Sequence, residues 1–599
     1  MKKLTAIAIL LLFMLPGVRS SAQTDAQIAA IVAVAGAEEA ETLDAEEIER
    51  YLSLMLHPLD LNRTPRGRLL SCGLLTPFQV ASLEDYRKRY GDVLSVTELS
   101  LIEGFGEEFS RNLAPFVRLS SRSLPGHPAA DTMLLRNTVI ARASLKGGKI
   151  GTGLKLKSSF GESVSLSFAE KDLQSWGGSV SWSGNRWPGK VLAGDFNARF
   201  GQGLALWSGM SLSGFSSVSS ICRNGAGISP SWSYSCAGTY RGVAADFQAG
   251  RFVVSSFAAF PGLKPFCEGN RGGVSFMPGG NVSWYGKNGQ LGLTAFWLSE
   301  RIGGDPNGLF YQAGGKVSVD GKLSWRGMTF FGESAFDCYS GSAAGAGGLT
   351  VPFLDGWRFG MAARFYPASF SASGASGIRA WTGTSNEKGV VLGVGKRNTS
   401  LTADIASKWN DPSVMQVKVL AKVPFQLTPA MVLSLRVSER FRPYEPVLVH
   451  RAGARADLDW SSAGLSAAYG EPEGDAWKAR LRLEGLYCKA ASGLAYLEGG
   501  RRTDRFSAYL RSTLFIVDNW DDRIYSYERD APGNFTVPAY YGRGYSLSAV
   551  ASAKFRFRLG GRHIKVLRLY SRASMVRYPF MPQGKPASSE LKFQAQLEL

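Results

Sequence analysis

The sequence predicts a mainly β protein: a large transmembrane antiparallel β-barrel, preceded by a small all-α region. Three observations predict this class. The chain opens with an export signal, it changes from a helical to a two-residue period near Leu134, and its last strand keeps that alternation to Leu599. After the export signal we find no run of the ~20 apolar residues that a membrane-spanning helix needs. A mature chain that enters a membrane would therefore cross it as strands.

Residues 1–22 are typical of a Sec-type signal peptide. Two lysines precede an apolar run from Leu4 to Leu15, and Ser20–Ala22 supplies the small residues that a signal peptidase requires. We expect the mature chain to start near Gln23, with residues 23–43 as a leader segment.

Residues 44–120 carry a helical pattern. The segment LDAEEIERYLSLML places acids in its first turn and apolar residues three or four positions apart. Proline and glycine divide the residues that follow into short helices, and Ser95 can cap a helix from Val96 to Ile102. Residues 121–133 are rich in Ser, Pro and Gly, so we interpret them as a linker.

Residues 134–599 change to a period of two. In the segment 477–484, Trp, Ala, Leu and Leu alternate with Lys, Arg, Arg and Glu, and the segments 552–559 and 590–599 alternate in the same way. One face of each strand would contact lipid and the other a wet lumen. A soluble antiparallel sheet alternates equally well. The export signal and the lack of a helical pattern across more than 450 residues favour the barrel.

The alternating runs correspond to about two dozen strands of the ~10 residues that a barrel strand requires, so we expect an even number of about 22 to 26. Side chains cannot fill a lumen of that width, which must therefore be an aqueous channel or be plugged. Two segments, Arg199–Tyr240 and Trp520–Gly544, are long enough to fold inward or to form outer loops.

The net charge of +19 lies in the predicted barrel. Residues 44–120 hold 12 acidic and 9 basic residues, whereas residues 121–599 hold 56 basic and 33 acidic residues. One interpretation pairs these bases with acids and with anionic lipids of the outer leaflet. The other is a lumen that attracts an anionic polymer or solute.

Cysteine and histidine usage indicates neither a disulfide scaffold nor a metal site. Six cysteines are few for an exported chain of this length, and we predict only Cys222–Cys236 as a disulfide, because both fall in one long loop. The four histidines share no short spacing, so we expect no metal and no cofactor.

We find no nucleophile elbow or phosphate-binding loop and expect a protein that is not an enzyme. An enzyme or adhesin built on the long loops is the alternative.

The segment IEGFGEEFSRNLAPFV, residues 102–117, has the pattern of a helix, a Gly-Phe-Gly turn and a second helix. Glycine at both turn positions permits positive φ and leaves backbone N–H groups uncovered, and the following helix directs its positive dipole end to the same place. Phosphate is the usual ligand of such a turn. The candidate nucleic-acid-binding residues are Gly104, Phe105, Gly106, Arg111, Arg87, Lys88 and Arg89.

The segments DLNRTPRGRLL, DYRKRYGDVLSVTELSLIEGFG and LAPFV resemble the tandem helix-hairpin-helix domain of ComEA-type competence proteins. The resemblance covers roughly 60 residues and implies two turns that bind the backbone of double-stranded DNA without reading its sequence. Here the first turn is Leu74-Leu75-Thr76 instead of Gly-apolar-Gly. The second turn is followed by Glu107 and Glu108, which suit the helix dipole by ~0.3–1 kcal/mol each but repel phosphate. We therefore favour a protein-docking or structural role over DNA binding.

The segments AGDFNARFGQGLALWSG and IYSYERDAPGNFTVPAYYGRG resemble Gram-negative outer-membrane proteins in which a ComEA-like domain precedes a large barrel. The resemblance implies an outer-membrane barrel with a periplasmic helical head. The expected partners are outer-membrane lipids, a periplasmic protein and double-stranded DNA. The expected roles are transport, assembly or envelope organisation, with DNA uptake as the alternative.

Overall fold

The fold was obtained as a computed structural model of the full chain. It describes residues 30–32, 34, 51–52, 54–55, 58–75, 77–121, 135–161, 163–184, 189–208, 218–223, 225–232, 239–260, 275–286, 288–301, 310–354, 356–381, 383–396, 398–444, 447–466, 475–503, 505–534, 536–559, 563–581 and 587–598. The predicted signal peptide, most of the leader segment and nearly all of the linker lie outside these residues.

Short helices form the region before the strands. They are α1 (Arg66–Ser71), α2 (Pro77–Tyr90), α3 (Val96–Leu101) and α4 (Gly106–Leu113), with a parallel bridge between β1 (Leu59–Asp60) and β2 (Val117–Arg118). Ser95 caps α3 as expected, since its side chain accepts a hydrogen bond of 3.0 Å from the N–H of Glu98.

The helices enclose their own hydrophobic core. Its most deeply buried residues are Leu61, Leu69, Val80, Leu83, Val93, Leu99, Leu113 and Phe116. The Asn62 side chain joins the two ends of the region, because its amide nitrogen donates to the carbonyls of Val93 (2.9 Å) and Ser120 (3.0 Å). The described helices form a packed unit of their own, in addition to the barrel.

Strands make up most of the described chain. The first half of the wall comprises β3 (Leu135–Lys146), β4 (Lys149–Phe160), β5 (Val164–Lys171), β6 (Ser175–Ser183), β7 (Lys190–Arg199), β9 (Tyr240–Ala249), β10 (Phe252–Ala259), β11 (Ser275–Tyr285), β12 (Gly289–Arg301), β13 (Phe310–Trp325), β14 (Met328–Asp337) and β15 (Ser342–Phe353). The second half comprises β16 (Trp357–Tyr366), β17 (Glu387–Lys396), β18 (Thr399–Ser407), β19 (Met415–Thr428), β20 (Met431–Tyr444), β21 (Val447–Ser461), β22 (Ala476–Tyr487), β23 (Ala491–Arg502), β24 (Phe506–Val517), β27 (Gly542–Leu559), β28 (His563–Arg577) and β29 (Ser588–Glu598). The short strand β8 (Gly227–Pro230) pairs with the end of β7 and adds no strand to the wall, because β7 also pairs directly with β9. The short strands β25 (Ile524–Tyr525) and β26 (Ala539–Tyr540) pair with each other in a separate two-stranded sheet.

The wall strands close into an antiparallel barrel of 24 strands. Closure occurs where the last strand pairs with the first, Leu591 opposite Leu145 and Leu597 opposite Val139. This confirms the predicted fold class and the predicted strand number. Because the number is even, the start of β3 and the end of β29 lie at the same rim, which we call the terminal rim; the opposite end is the loop rim.

The wall has an apolar outer face and a polar inner face. Large apolar side chains such as Trp477 (55% exposed), Leu483 (53%) and Val437 (57%) point outward, and their strand neighbours are charged or hydroxylated residues that face the lumen. Within the described residues, no helix is both long and apolar enough to cross a membrane.

Both long segments contribute residues that fold into the lumen, one of the two arrangements expected from the sequence. In the first, a short 3-10 helix (Val218–Ile221) lies against the inner face, and a Cβ on Gly360 would sit 2.7 Å from its Val218. The second segment contacts lumen-facing side chains of at least six wall strands: β3, β21, β23, β24, β28 and β29. The lumen is therefore filled by backbone as well as by side chains.

Candidate functional site: the filled barrel lumen

The segment from residue 518 to residue 541, the lumen loop, is fixed to the wall by buried ion pairs. Arg529 of the loop contacts Glu498 of β23 at 2.6 Å, and Arg511 of β24 contacts the same carboxylate at 2.6 Å. Arg511 also donates a 2.6 Å hydrogen bond to the backbone carbonyl of Tyr527. Apart from Tyr527, which is 8% exposed, these residues are at most 5% exposed.

A second group of charges holds the same loop to the last two strands of the barrel. Glu528 of the loop pairs with Arg572 of β28, which contacts Glu590 of β29 at 2.9 Å. Asp530 of the loop pairs with Lys592 of β29 at 2.7 Å. Removing one partner from such a network leaves a buried charge uncompensated, which typically costs about 3–5 kcal/mol.

The first inward segment is held by one carboxylate. Glu333 of β14 accepts hydrogen bonds from the backbone N–H groups of Gln202 (2.6 Å), Leu204 (3.0 Å) and Ala205 (3.2 Å). Gly201 has φ +58°, and a Cβ there would lie 2.7 Å from the Glu333 carboxylate. The chain therefore turns tightly around a wall carboxylate, which only glycine permits.

A third inward segment, residues 367–386, was not predicted. Lys316 of β13 donates to the carbonyls of Ser371 (2.7 Å) and Ser373 (2.5 Å), and Glu387 accepts from the N–H of Ala380 at 2.8 Å. The only signal in the sequence is its length and its Ser and Gly content. These features are equally typical of an outer loop.

The helical region, residues 58–121, contacts side chains and backbone that face the lumen near the terminal rim. A Cβ on Gly67 of α1 would lie 2.5 Å from the carbonyl oxygen of Gly189, next to lumen-facing Lys190. Leu70 lines a cavity of about 40 Å³ together with Tyr285 and Val253 of the inner wall. Tyr527 of the lumen loop belongs to the same hydrophobic cluster as the helices.

The periplasmic location expected for the helical region stays a prediction. What the sequence did not indicate is the contact of this region with the barrel wall. At that contact α1 has a glycine, so backbone can approach backbone. The helices lie against the inner wall rather than apart from it.

The Gly-Phe-Gly turn has the predicted conformation. Gly104 has φ +88° and Gly106 has φ +68°, and α4 begins at Gly106. Phe105 is 4% exposed and belongs to the helical core, as expected of an anchor. The Gly104 carbonyl accepts a 2.8 Å hydrogen bond from Gln79, and Arg358 of the barrel wall lies 3.8 Å from the position of a Cβ on Gly106.

The candidate basic residues do not converge on this turn. Gln79 contacts the turn from the start of α2, whereas Arg87 lies eight residues further along the helix, a rise of about 12 Å. Arg87 donates to the carbonyls of Leu61 and Asn62. Lys88 is exposed beside it.

The other two candidate arginines form ion pairs on the helix surface. Arg89 pairs with Asp85 at 2.9 Å, and Arg111 pairs with Glu107 at 2.5 Å. Each pair joins residues one helical turn apart, the usual arrangement of a solvated helix face. The structure thus brings Gly104, Phe105 and Gly106 together and leaves the α2 basic residues at the other end of that helix.

The predicted disulfide involves one residue outside the described chain. Cys222 is buried and forms no disulfide with another described cysteine, and Cys236 is not among the described residues. Their pairing stays a prediction. Among the described residues, no group of three His, Cys, Asp or Glu side chains is arranged to hold a metal ion.

Neither a protein-family model nor a curated protein matches this chain. Solved structures that are similar to it include OccK7 of Pseudomonas aeruginosa, with 8% identity, a TM-score of 0.27, and coverage of 78% of this chain and 97% of that one. The translocation pore of the P pilus usher PapC has 9% identity, a TM-score of 0.29, and coverage of 78% and 99%. OccAB2 of Acinetobacter baumannii has 8% identity, a TM-score of 0.26, and coverage of 78% and 98%. The barrel assignment rests on the strand pairing of this chain itself.

Proposed function

We propose that this protein is an exported outer-membrane barrel that passes a solute or polymer through its lumen, and that the helical region closes the passage. The observation that carries the proposal is the contact of α1 with lumen-facing residues near the terminal rim. The apolar outer face supports insertion into a lipid bilayer. In this proposal the protein has no enzymatic activity, and its terminal rim faces the periplasm.

The way in which the helical region is held supports a reversible closure. Most of its core residues belong to the region itself, with Tyr527 of the lumen loop packed against them. Four ion pairs each join two residues of the region: Arg66–Glu84, Arg63–Asp60, Arg89–Asp85 and Arg111–Glu107. The region can therefore shift without leaving these charges unpaired. The contacts of Gly67 and Leu70 with the wall are backbone and apolar packing, whose rearrangement costs less than breaking a buried ion pair.

The substitution Gly67→Val tests the closure directly. The added Cβ would lie 2.5 Å from the Gly189 carbonyl oxygen, and backbone cannot yield as a flexible side chain would, so α1 must move off the wall. We expect the full-length variant in planar lipid bilayers to show larger and more frequent open-channel currents than the wild type.

The matched control is Gly485→Val. A Cβ on Gly485 meets nothing within 4 Å, so the same side chain is added to the wall without displacing a neighbour. If the wild type and Gly67→Val show the same current, or if Gly485→Val opens the barrel equally, the helical region is not the closure.

Binding of double-stranded DNA by the helical region is a second candidate function. The observation that favours it is the pair of positive φ angles at Gly104 and Gly106, with α4 starting at the turn. Full-length protein would then bind a labelled duplex with an affinity that falls as salt rises, and Gly104→Val would abolish the binding. An absence of binding at low salt would leave protein docking, with a periplasmic partner, as the role of the turn.

A further inference from the structure

A groove of about 840 Å³ crosses the barrel wall at the strands β15, β16, β17 and β18. Its lining residues lie close to the loop rim. Because neighbouring wall strands are antiparallel, β15 and β17 begin at that rim, and β16 and β18 end there. We call this feature the outer groove, since the residues that line it belong to the outer face of the wall.

The strand register places the lining residues in two rows on the outer face. In the row next to the rim, Gly345 lies opposite Phe365, which lies opposite Lys388. The second row comprises Gly347, Ala363, Val390 and Ile405. The large apolar members of the two rows are 39–47% exposed, as expected of side chains that face lipid: Phe365, Val390 and Ile405.

Small residues form the floor of the outer groove. Gly345 and Gly347 have no side chain, and Ala363 has a single methyl group. Neighbouring strands lie ~4.8 Å apart, so these residues leave a depression about two strands wide between larger apolar side chains. The volume of about 840 Å³ falls within the ~300–1,000 Å³ that is usual for a ligand site. The floor therefore accommodates a hydrocarbon chain below the general level of the outer surface.

A lysine and a tryptophan lie at the rim end of the outer groove. The Lys388 ammonium group is 5.6 Å from the centroid of the Trp409 ring. The same ring packs edge-on against Phe365, with 4.2 Å between the ring centroids. Tryptophan and lysine at the end of a membrane strand are typical of the level of the lipid head groups. The groove thus begins at head-group depth and continues into the apolar part of the outer face.

The charge at the rim end is complementary to an anion. Among the described residues that line the outer groove, Lys388 is basic and none is acidic. The adjacent carboxylate, Glu387, faces the lumen and pairs with Arg364. Arg364 also borders the groove, but it is 3% exposed, and its guanidinium group contacts Asp404 at 2.7 Å on the lumen side. The outer face therefore presents an ammonium group next to an apolar floor.

We propose that the outer groove binds one anionic phospholipid of the surrounding membrane. One acyl chain lies on the floor formed by Gly345, Gly347 and Ala363, and the phosphate accepts a charge-assisted hydrogen bond from Lys388. The site is on the lipid side of the wall and needs no passage through the lumen, so it goes beyond the proposed function. A lipid held there fills the part of the outer face where side chains are missing.

Native mass spectrometry of the full-length protein in detergent micelles tests this site. The probes are phosphatidylglycerol, which is anionic, and phosphatidylcholine with the same acyl chains, which has no net charge. Glycerol phosphate supplies the head group without the chains. We expect wild-type protein to bind one phosphatidylglycerol in preference to phosphatidylcholine, and not to bind glycerol phosphate.

The substitution Gly345→Leu fills the floor of the outer groove. Beyond its chain neighbours, the atom nearest to a Cβ there is the backbone oxygen of Glu333 at 4.0 Å, so the wall need not shift. We expect the affinity for phosphatidylglycerol to fall about tenfold, because leucine occupies the place of the acyl chain. The matched control is Gly485→Leu, at an exposed outer-face position where a Cβ meets nothing within 4 Å. It should change the affinity by less than about twofold.

The substitution Lys388→Gln removes the charge and keeps the floor. We expect the affinity for phosphatidylglycerol to fall about fivefold, whereas that for phosphatidylcholine should change little. The matched control is Lys149→Gln, which removes an exposed lysine of the first hairpin at the same rim. It should leave both affinities unchanged. The gel mobility of unheated protein reports whether each variant has a folded barrel.

The proposal is overturned if folded wild-type protein binds phosphatidylglycerol no more tightly than phosphatidylcholine, or if Gly485→Leu loses as much affinity as Gly345→Leu. A wild-type dimer that Gly345→Leu dissociates would assign the outer groove to contact with a second barrel and would also overturn it. None of these outcomes depends on the current measurements on Gly67→Val. Failure of the lipid site and failure of the passage are therefore distinguishable.

Discussion

The helical region and the lumen loop both occupy the barrel interior, but they are held there by different forces. The loop places Glu528, Arg529 and Asp530 in buried ion pairs with three different wall strands, β28, β23 and β29. The helical region has a hydrophobic core formed mainly by its own residues, and its Arg66–Glu84 ion pair joins two residues of the region. Its contact with the loop is apolar, through Tyr527.

The difference teaches which of the two can move. Displacing the loop would expose charges whose partners are fixed in the wall, and each broken buried pair typically costs about 3–5 kcal/mol. Displacing the helical region exposes apolar surface, at roughly 25 cal/mol per Å². The loop is thus fixed to the barrel wall. In the proposed function the helical region is the element that moves.

The largest expected effect is that of Glu498→Ala. The substitution leaves Arg511 and Arg529 buried without their shared carboxylate, so we expect the free energy of unfolding of the barrel to fall by about 3–5 kcal/mol. Urea titration of protein folded in lipid vesicles, followed by tryptophan fluorescence, measures it. Asp518→Ala removes an exposed pair with Arg543 and should change stability far less. Equal effects of the two substitutions would mean that the loop is not anchored by buried charge.

A smaller and more local effect is expected of Leu69→Ala. Leu69 is 1% exposed in the helical core, and its truncation should destabilise the helical region by about 3 kcal/mol. Because that core is separate from the wall, limited proteolysis of the full chain should become faster within residues 58–121. The heat-modifiable gel mobility of the barrel should not change. A barrel that loses its folded mobility would show that the two regions fold as one unit.

The smallest effect is expected of Asp85→Ala. The Arg89–Asp85 pair lies on the surface of α2, with side chains 60% and 59% exposed, so its loss should change stability by less than about 0.5 kcal/mol. The same proteolysis assay measures it. A cleavage rate as high as that of Leu69→Ala would mean that surface charge, rather than the apolar core, holds the helical region together.

Local signals predicted the elements of this protein well. The alternation of residues 477–484 follows the period of a strand whose two faces meet different surroundings, and β22 has that arrangement. Ser95 and Gly104 were recognisable because a cap and a positive φ are properties of a few neighbouring residues. The strand number followed from counting such runs.

The contents of the lumen were harder to predict. A long segment between two strands has the same composition whether it folds inward or outward, and residues 367–386 gave no sign of their position. Glu333 and Glu498 stood out in no pattern, because their hydrogen-bond partners lie 128 or more residues away for Glu333 and 13 and 31 residues away for Glu498. The candidate basic residues of α2 were assigned to the same site as the Gly-Phe-Gly turn because they are close to it in sequence. In the structure they lie at the other end of α2, and the length of that helix separates them from the turn.

The sequence by itself determined the period of every region, and with it a barrel of about two dozen strands after a short set of helices. The period of apolar and polar residues is a local property, since the polarity of each side chain determines whether it faces lipid, the lumen or the core. Only the tertiary structure decided that the helices lie against the inner wall and that three segments fold inward. These arrangements depend on strand register and on contacts between distant residues, which no local pattern encodes.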